Sequence, residues 1–394
     1  MHPAHRALAL LLCLAGGTAA AGPDAGSERL RVVDAAERCA EFWRRVPGAT
    51  PERQARVFEE LLRAPHPTLY TTDVLGLDEP LSKSVPERLA KATARFRPDP
   101  VRVDEVRRTL DADLQDAAAQ FRKTFPGFVS RRPVSVVCSL GAFDGGTRKV
   151  EGASMLLFGP DVIATIRPRG FNLRPFLEHE LFHVHHEALH PDAPETVGAS
   201  LWEEGLATYV SAALNPGATH DEISVPDALI AEATPRLPEL AGRLLAHLDD
   251  PDSGPVYRQF FYGSTEMAPE VPPRSGYVLG WRIAEAAGKI RSLAELAAMT
   301  PAASRVLVEE GLHTLAQSAA GDPRNRRRRR RRPSGAPAAR SRRARRPAGF
   351  RPSSSPDGGR SRRSGRSSTT SHSPAPDGAR LRGGRALRGA ARVG

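Results

Sequence analysis

Apolar side chains recur every three or four positions through much of the first 125 residues, which is the spacing of an amphipathic helix. Ser84 and Glu87 have the spacing of a capping box and predict the start of one such helix. The predicted helices occupy residues 27–46, 51–64, 84–94 and 104–125. Catalytic residue types are not concentrated here, so we expect residues 22–130 to form a helical region that serves as scaffold and as one wall of a cleft.

The pattern changes to a period of two after residue 130, and β-branched residues become frequent. Residues 133–140, PVSVVCSL, predict a strand, and 154–158 with 162–166 predict one or two more. The Gly-rich segment 141–152 between them predicts a loop. An edge strand has unpaired N–H and C=O groups, so 154–158 could pair with an extended peptide; an ordinary covered strand fits the pattern as well.

Helical spacing returns after residue 170 and continues to about residue 318. A Pro-rich stretch, 215–274, interrupts it, and its last part, 249–274, could form the far wall of a cleft or a lid. We therefore expect an α+β fold that is mainly helical, with a core at 131–321 and a small sheet beside the first helix of this part. The predicted helices occupy 176–186, 201–214, 226–248, 276–287, 292–299 and 302–318.

The net charge of +12 belongs to the last part of the chain. From Pro323 onward there are 23 basic and 2 acidic residues, which leaves 34 basic and 43 acidic residues before it. Total charge is therefore no argument for nucleic acid, and we expect no specific nucleic-acid partner. The tail, 322–394, is too poor in large apolar residues to form a core and is predicted to be disordered.

Two interpretations of this tail stay open. Its Arg run at 326–332 could bind a phosphate-rich polymer. The whole chain has 52 Arg and only 5 Lys, which indicates a GC-rich gene, and a frameshift in such DNA yields the same composition.

The first 21 residues are predicted to be a signal peptide. Basic residues at positions 2, 5 and 6 precede an apolar run at 7–15 and an A-x-A cleavage site before Gly22. We therefore expect an exported protein, periplasmic or secreted. A lipoprotein would use Cys13, but the residue before it, Leu12, is not small. No later segment reaches 18 apolar residues, so no membrane span is expected.

Export leaves two cysteines, Cys39 and Cys138. They could pair in an oxidising compartment, or remain two buried or free thiols. Sequence alone leaves both states open, because it does not show whether the two Cα atoms come close enough.

The segment FLEHELFHVHH, 176–186, contains an HExxH motif formed by His179, Glu180 and His183. Residues four apart lie one turn above each other on a helix, so both imidazoles can face one point with Glu180 beside them. Two zinc ligands and a carboxylate that takes a proton from a zinc-bound water have this geometry. Asn172 is expected to cap this helix.

A third ligand is expected on the helix 201–214. Zinc in a catalytic site accepts His, His and Glu with one position left for water. WEEGLA, 202–207, resembles the signature of the gluzincin metallopeptidases, in which the Glu before the Gly binds the metal; this favours Glu204 over Glu203. The metzincin pattern fails, because the positions of its Gly and third His hold His186 and Leu189.

With SGYVLGWR at 275–282, these segments resemble a bacterial family of predicted zinc-dependent proteases that is classed as a domain of unknown function. The resemblance extends over about residues 30–317. It implies a gluzincin-like catalytic domain with one zinc ion per chain and a peptide or protein substrate. The exopeptidase motif GxMEN is absent, which favours an endopeptidase or an enzyme with a specialised substrate; the oligomeric state is not predicted.

Further residues near the motifs have candidate roles. Tyr277 is proposed to donate a hydrogen bond to the oxyanion, with a core tyrosine as the alternative. Thr208 could orient His179 or Glu204, or it could simply pack in the core, and His186 could line the cleft. His185 and His190 are expected to be solvated or to cap the helix end.

Two classes of function follow from the sequence. The first is an exported zinc metallopeptidase in which Glu180 activates a zinc-bound water. The second is a binding protein on the same scaffold, which either holds a metal without catalysis or binds a polyanion through its tail.

Overall fold

The computed structural model describes residues 29–77, 79–95, 97–262 and 270–318. The predicted signal peptide, 1–21, and the predicted tail, 322–394, lie outside the described residues. All described residues belong to one compact unit. Their fold is α+β and mainly helical, as the sequence predicts. No helix among them is both long and apolar enough to cross a bilayer.

Four strands form one sheet in the described part of the chain, in the order β1-β2-β4-β3. β1 pairs parallel to β2, β2 pairs parallel to β4, and β3 pairs antiparallel to β4. Glu151 and Gly152 join β3 to β4 with φ values of 49° and 79°, the positive angles that a tight hairpin requires. The strands are β1 Val32–Ala35, β2 Val134–Val137, β3 Gly145–Val150 and β4 Ala153–Phe158.

The sheet corrects two predictions from the sequence and decides between two alternatives for a third segment. Residues 32–35 were expected in a helix, but they pair along their whole length with β2. The predicted loop 141–152 contains β3, whose partner is the next strand along the chain. Strand 154–158 lies between β2 and β3, which is the second of the two alternatives, and the outer strands of the sheet are β1 and β3.

The described residues also form fourteen α-helices. α2 continues as a π-helical turn, Glu59–Arg63, and a 3₁₀ turn, Thr234–Arg236, joins α9 to α10. The helices are α1 Cys39–Arg45, α2 Pro51–Phe58, α3 Thr72–Leu75, α4 Leu81–Arg95, α5 Pro100–Thr124, α6 Pro160–Ile166, α7 Arg174–Leu189, α8 Val197–Leu214, α9 Asp227–Ala233, α10 Leu237–Leu245, α11 Pro255–Phe261, α12 Ser275–Gly288, α13 Leu293–Ala297 and α14 Pro301–Gln317.

Several helix boundaries differ from the predictions. The expected capping box at Ser84 is wrong, because α4 begins at Leu81 and the Ser84 hydroxyl donates to the Glu79 carbonyl at 2.8 Å. Residues 162–166, predicted as a strand, lie in α6. The predicted helix 226–248 is broken by the 3₁₀ turn, where two prolines cannot donate backbone hydrogen bonds.

Cys39 and Cys138 form a disulfide that joins α1 to the residue after β2. The Tyr70 hydroxyl donates to the Ala35 carbonyl at 3.0 Å and accepts from the Cys138 N–H at 3.0 Å. Together with the pairing of β1 and β2, these bonds fasten the N-terminal region to the sheet. The predicted helical region 22–130 is therefore not wholly helical, and it shares one core with the residues that follow it.

α8 and α12 touch backbone to backbone where they cross. A Cβ atom added at Gly205 would lie 2.1 Å from the Gly280 carbonyl carbon, and one added at Gly280 would lie 2.3 Å from the Leu201 oxygen. Only glycine fits at such a contact. This explains Gly205 of the EGLA motif and Gly280 of the GYVLG motif as packing residues that bring α8 and α12, and with them Glu204 and Tyr277, close together.

Candidate metal centre

The HExxH motif lies on α7, which is buried on most of its surface. Pro175 occupies its first turn, where its missing N–H is not needed. The N-cap is Leu173 and not Asn172 as predicted, but the Asn172 side-chain oxygen accepts from the Arg174 N–H at 3.2 Å. His179, Glu180 and His183 are each 3 % exposed, so the motif faces the interior.

Three donor atoms from α7 and α8 converge on one point. His179 Nε2 and His183 Nε2 are 3.1 Å apart, and the Glu204 Oε2 atom lies 3.3 and 3.4 Å from them. Ligand atoms about 2.0–2.1 Å from a tetrahedral zinc are about 3.3–3.4 Å from one another. The triangle therefore has the size of one face of a zinc tetrahedron, whose fourth corner is left for another ligand.

The electrostatics of the three groups also fit a cation. Glu204 Oε2 is buried and accepts no hydrogen bond from any described residue. Burial alone would raise the pKa of Glu204, but the neighbouring His183 and His179 outweigh it and hold this pKa well below its ordinary value. Burial likewise opposes a charge on His183, but Glu204 and Glu203 raise the pKa of His183 well above its ordinary value. The centre thus favours positive charge between its carboxylates.

Glu203 has a role that the sequence did not reveal. Its Oε1 atom lies 3.2 Å from His183 Nδ1, and both side chains are buried. A carboxylate on Nδ1 fixes the tautomer of the imidazole and leaves Nε2 free to bind a metal. The positions of the two glutamates show which of them is the candidate ligand. Glu204 lies on the Nε2 side of His183, and Glu203 lies on its Nδ1 side.

Replacing Glu203 by Ala is expected to weaken zinc binding about 10- to 100-fold, because a partner that orients a ligand contributes about that much. Glu203→Gln keeps an oxygen that can accept from Nδ1 and should lose less. Competition with a chromophoric chelator measures both affinities. An Ala variant that binds zinc as tightly as the unchanged protein would show that Glu203 does not orient His183.

Glu180 is buried beside the three donor atoms. Burial, helped by the charges of Asp144 and Glu204, raises its pKa to about 8, although the charges of His183 and Arg148 oppose this rise. Its Oε2 atom has no hydrogen-bond partner among the described residues. Arg148 lies within β3, and Asp144 directly precedes this strand. The outer strand β3 therefore lies near the Glu180 carboxylate.

Tyr277, on α12, lies at the centre as the sequence suggested. Its ring stacks on that of His179 with 6.4 Å between ring centroids, and the charge of Glu204 acts on its hydroxyl. Burial and Glu204 raise the pKa of Tyr277 well above its ordinary value, so the hydroxyl keeps its proton at neutral pH. Tyr257 of α11 is also buried nearby, and Glu204 contributes to its raised pKa; no sequence motif indicated it.

Four further predictions are corrected or refined by the structure. The Thr208 hydroxyl donates to the Glu204 backbone carbonyl at 2.9 Å, so it serves its own helix and orients neither His179 nor the Glu204 carboxylate. His185 is not solvated, since it packs among the rings of three phenylalanines. His190 lies 2.8 Å from the Ala297 carbonyl, and His186 stacks on Phe182 and lines a small cavity shared with Glu203.

Another buried glutamate on α7 makes stability depend on pH. Burial raises the pKa of Glu178 to about 7 from 4.5, although a hydrogen bond from Asn215 and the charge of Arg174 oppose this. The folded state therefore binds more protons than the unfolded state between these pH values, and stability falls as pH rises from about 4.5 to 7, by at most about 3 kcal/mol.

Glu178→Gln is expected to remove this loss, because Gln stays neutral. Urea unfolding of the metal-free protein should show the variant more stable than the unchanged protein at pH 8, with little difference at pH 4.5. An equal difference at the two pH values would contradict this account of Glu178.

Comparisons with family models, curated proteins and solved structures returned no match. The interpretation of the centre therefore depends on its own geometry and chemistry.

Proposed function

We propose that the protein is a zinc-dependent metallopeptidase with one zinc ion per chain, held by His179, His183 and Glu204. The observation that carries this proposal is the triangle of donor atoms, 3.1–3.4 Å on each side, next to a buried glutamate. Zinc bound there would polarise a substrate carbonyl and lower the pKa of a bound water to about 7.

Glu180 is the general base in this proposal. A carboxyl whose pKa is raised toward neutrality can accept a proton and later release it, which is what hydrolysis of an amide requires of one group. Burial at 3 % exposure supplies that shift. A protein that only held a metal would not need such a group, so Glu180 favours catalysis over a purely metal-holding role.

Tyr277 is the proposed hydrogen-bond donor to the substrate carbonyl oxygen. Its hydroxyl remains protonated and lies within reach of the Glu204 carboxylate, so it faces the same point as the three donor atoms. A positioned donor in a dry site stabilises the negative charge that develops on that oxygen.

A peptide is the substrate class that the sheet favours. β3 is an edge strand of the sheet, and the charges of Arg148 within it and of Asp144 directly before it act on the pKa of Glu180. An extended peptide that paired with this edge would place its backbone along the glutamate. β3 thus takes the role that the sequence suggested for 154–158.

We further propose that the protein is exported, to the periplasm or beyond the cell. Support comes from the disulfide between Cys39 and Cys138, because structural disulfides persist mainly in oxidising compartments.

Removing the metal tests the proposed function. Dialysis of the full chain against a chelator should abolish cleavage of a peptide library, and one equivalent of zinc should restore it. Mass spectrometry of the library identifies the cleaved bonds. Cleavage that continues at the same rate in metal-free protein would refute a zinc-dependent reaction.

A further inference from the structure

Arg274 is held in an unusual conformation directly before α12. Its φ is 62°, in the left-handed region, which costs a non-glycine residue about 1–2 kcal/mol. The backbone is fixed on both sides: the Arg274 N–H donates to the Tyr262 carbonyl at 3.2 Å, and its carbonyl accepts from the Tyr277 N–H at 3.1 Å. Such strain persists where surrounding contacts hold it, and it is common at functional sites.

This conformation places the guanidinium group beside the metal centre. It lies 4.5 Å from the centroid of the Tyr277 ring, which stacks on His179. Its positive charge contributes to the lowered pKa of His179 and opposes the rise in the pKa of Tyr277, as expected of a cation near both groups. Unlike these two side chains, Arg274 is only half-buried, so a ligand can approach it from solvent.

The charge of Arg274 is not balanced by a carboxylate of the described residues. Other arginines do have such a partner: Arg167 pairs with Asp144, and Arg305 pairs with Asp249. Within the described part of the chain, the guanidinium donates to one backbone carbonyl, that of Ser224, at 3.3 Å, and its Nε atom is buried without an acceptor. A guanidinium has five donors in a planar fork, and a carboxylate accepts two of them side by side.

We propose that Arg274 binds a carboxylate of the substrate next to the bond that is cleaved, so that the enzyme selects acidic peptides. This inference rests on the proposed function for the position of that bond. The carboxylate has two possible sources with the same chemistry, an acidic side chain near the scissile bond or the free C-terminus of the peptide. Arg274 is a specificity residue in this account and takes no part in moving protons.

Peptide binding without hydrolysis tests the inference. The full chain carrying Glu180→Gln, loaded with zinc, is titrated in 0.15 M NaCl against four fluorescein-labelled alanine octapeptides. The peptides combine a central Glu or Gln with a C-terminal acid or amide, and anisotropy gives each dissociation constant. The same titration is repeated with Arg274→Gln added. Arg258→Gln is the matched control, because Arg258 is also half-buried and also donates to a backbone carbonyl, that of Ser253, but on α11.

Replacing the central Glu by Gln, or the C-terminal acid by an amide, is expected to weaken binding of the peptide in at least one of the two cases. The expected loss is about tenfold or more, because a charge-assisted hydrogen bond is lost. Arg274→Gln should abolish that difference, and Arg258→Gln should keep it. An effect of the central residue identifies a side chain as the source, and an effect of the terminus identifies the C-terminal carboxylate. Equal binding of the four peptides, or a preference that survives Arg274→Gln, overturns the proposal. Neither outcome depends on hydrolysis, so failure of this inference is distinguishable from failure of the proposed function.

Discussion

Replacement of Glu180 by Gln is expected to lower peptide hydrolysis by about 10²- to 10⁴-fold, the usual contribution of a general base. Gln has nearly the same shape but cannot accept the proton. Because Glu180 is not one of the three converging ligands, the variant should still hold one zinc ion per chain. Initial rates on a cleaved peptide, with zinc determined by atomic emission on the same sample, measure both quantities.

Glu187→Gln is the matched control, since it changes a half-buried glutamate of the same helix, two turns farther along α7. It should keep both zinc and activity. Undiminished turnover by Glu180→Gln would reject the proposed role of Glu180, whereas loss of zinc together with activity would show that Glu180 supports the metal.

Substitution of Gly205 by Ala should have the largest effect on the fold. The new methyl group would lie 2.1 Å from a backbone carbon of α12, so the two helices must separate. We expect a loss of more than about 3 kcal/mol in the free energy of unfolding, beyond ordinary overpacking, because backbone cannot move aside as a side chain can. Separation would also move Tyr277 away from Glu204.

Gly242→Ala provides the control for this substitution. Gly242 lies inside α10, is exposed, and has no atom within 4 Å of an added Cβ. Alanine there should be neutral or stabilise by up to about 1 kcal/mol, because it favours the helix. Urea unfolding compares the two variants, and equal stabilities would show that α8 and α12 do not cross as described.

The features of the centre that depend on residues close together in the sequence could be predicted. His179 and His183 are four residues apart, and helical geometry alone brings their rings together. The spacing of apolar residues predicted the helix α8, and the resemblance of WEEGLA to the gluzincin signature predicted Glu204 as the third ligand. The structure brings all three side chains to one point.

Features that depend on distant contacts could not be predicted. β1 is a strand because β2 pairs with it from a hundred residues away, and local spacing favoured a helix there. The function of Glu203 follows from the ring nitrogen that it faces, which no spacing reveals. Arg274 belongs to no motif, and its importance depends on α12 holding it beside Tyr277.

The most direct measurement of the central claim is an anomalous difference map, collected at the zinc absorption edge from crystals of the zinc-loaded chain. The account predicts one strong peak about 2.0–2.1 Å from His179 Nε2, His183 Nε2 and a Glu204 oxygen. A protein that shows no peak between these atoms when zinc is present in excess would contradict it.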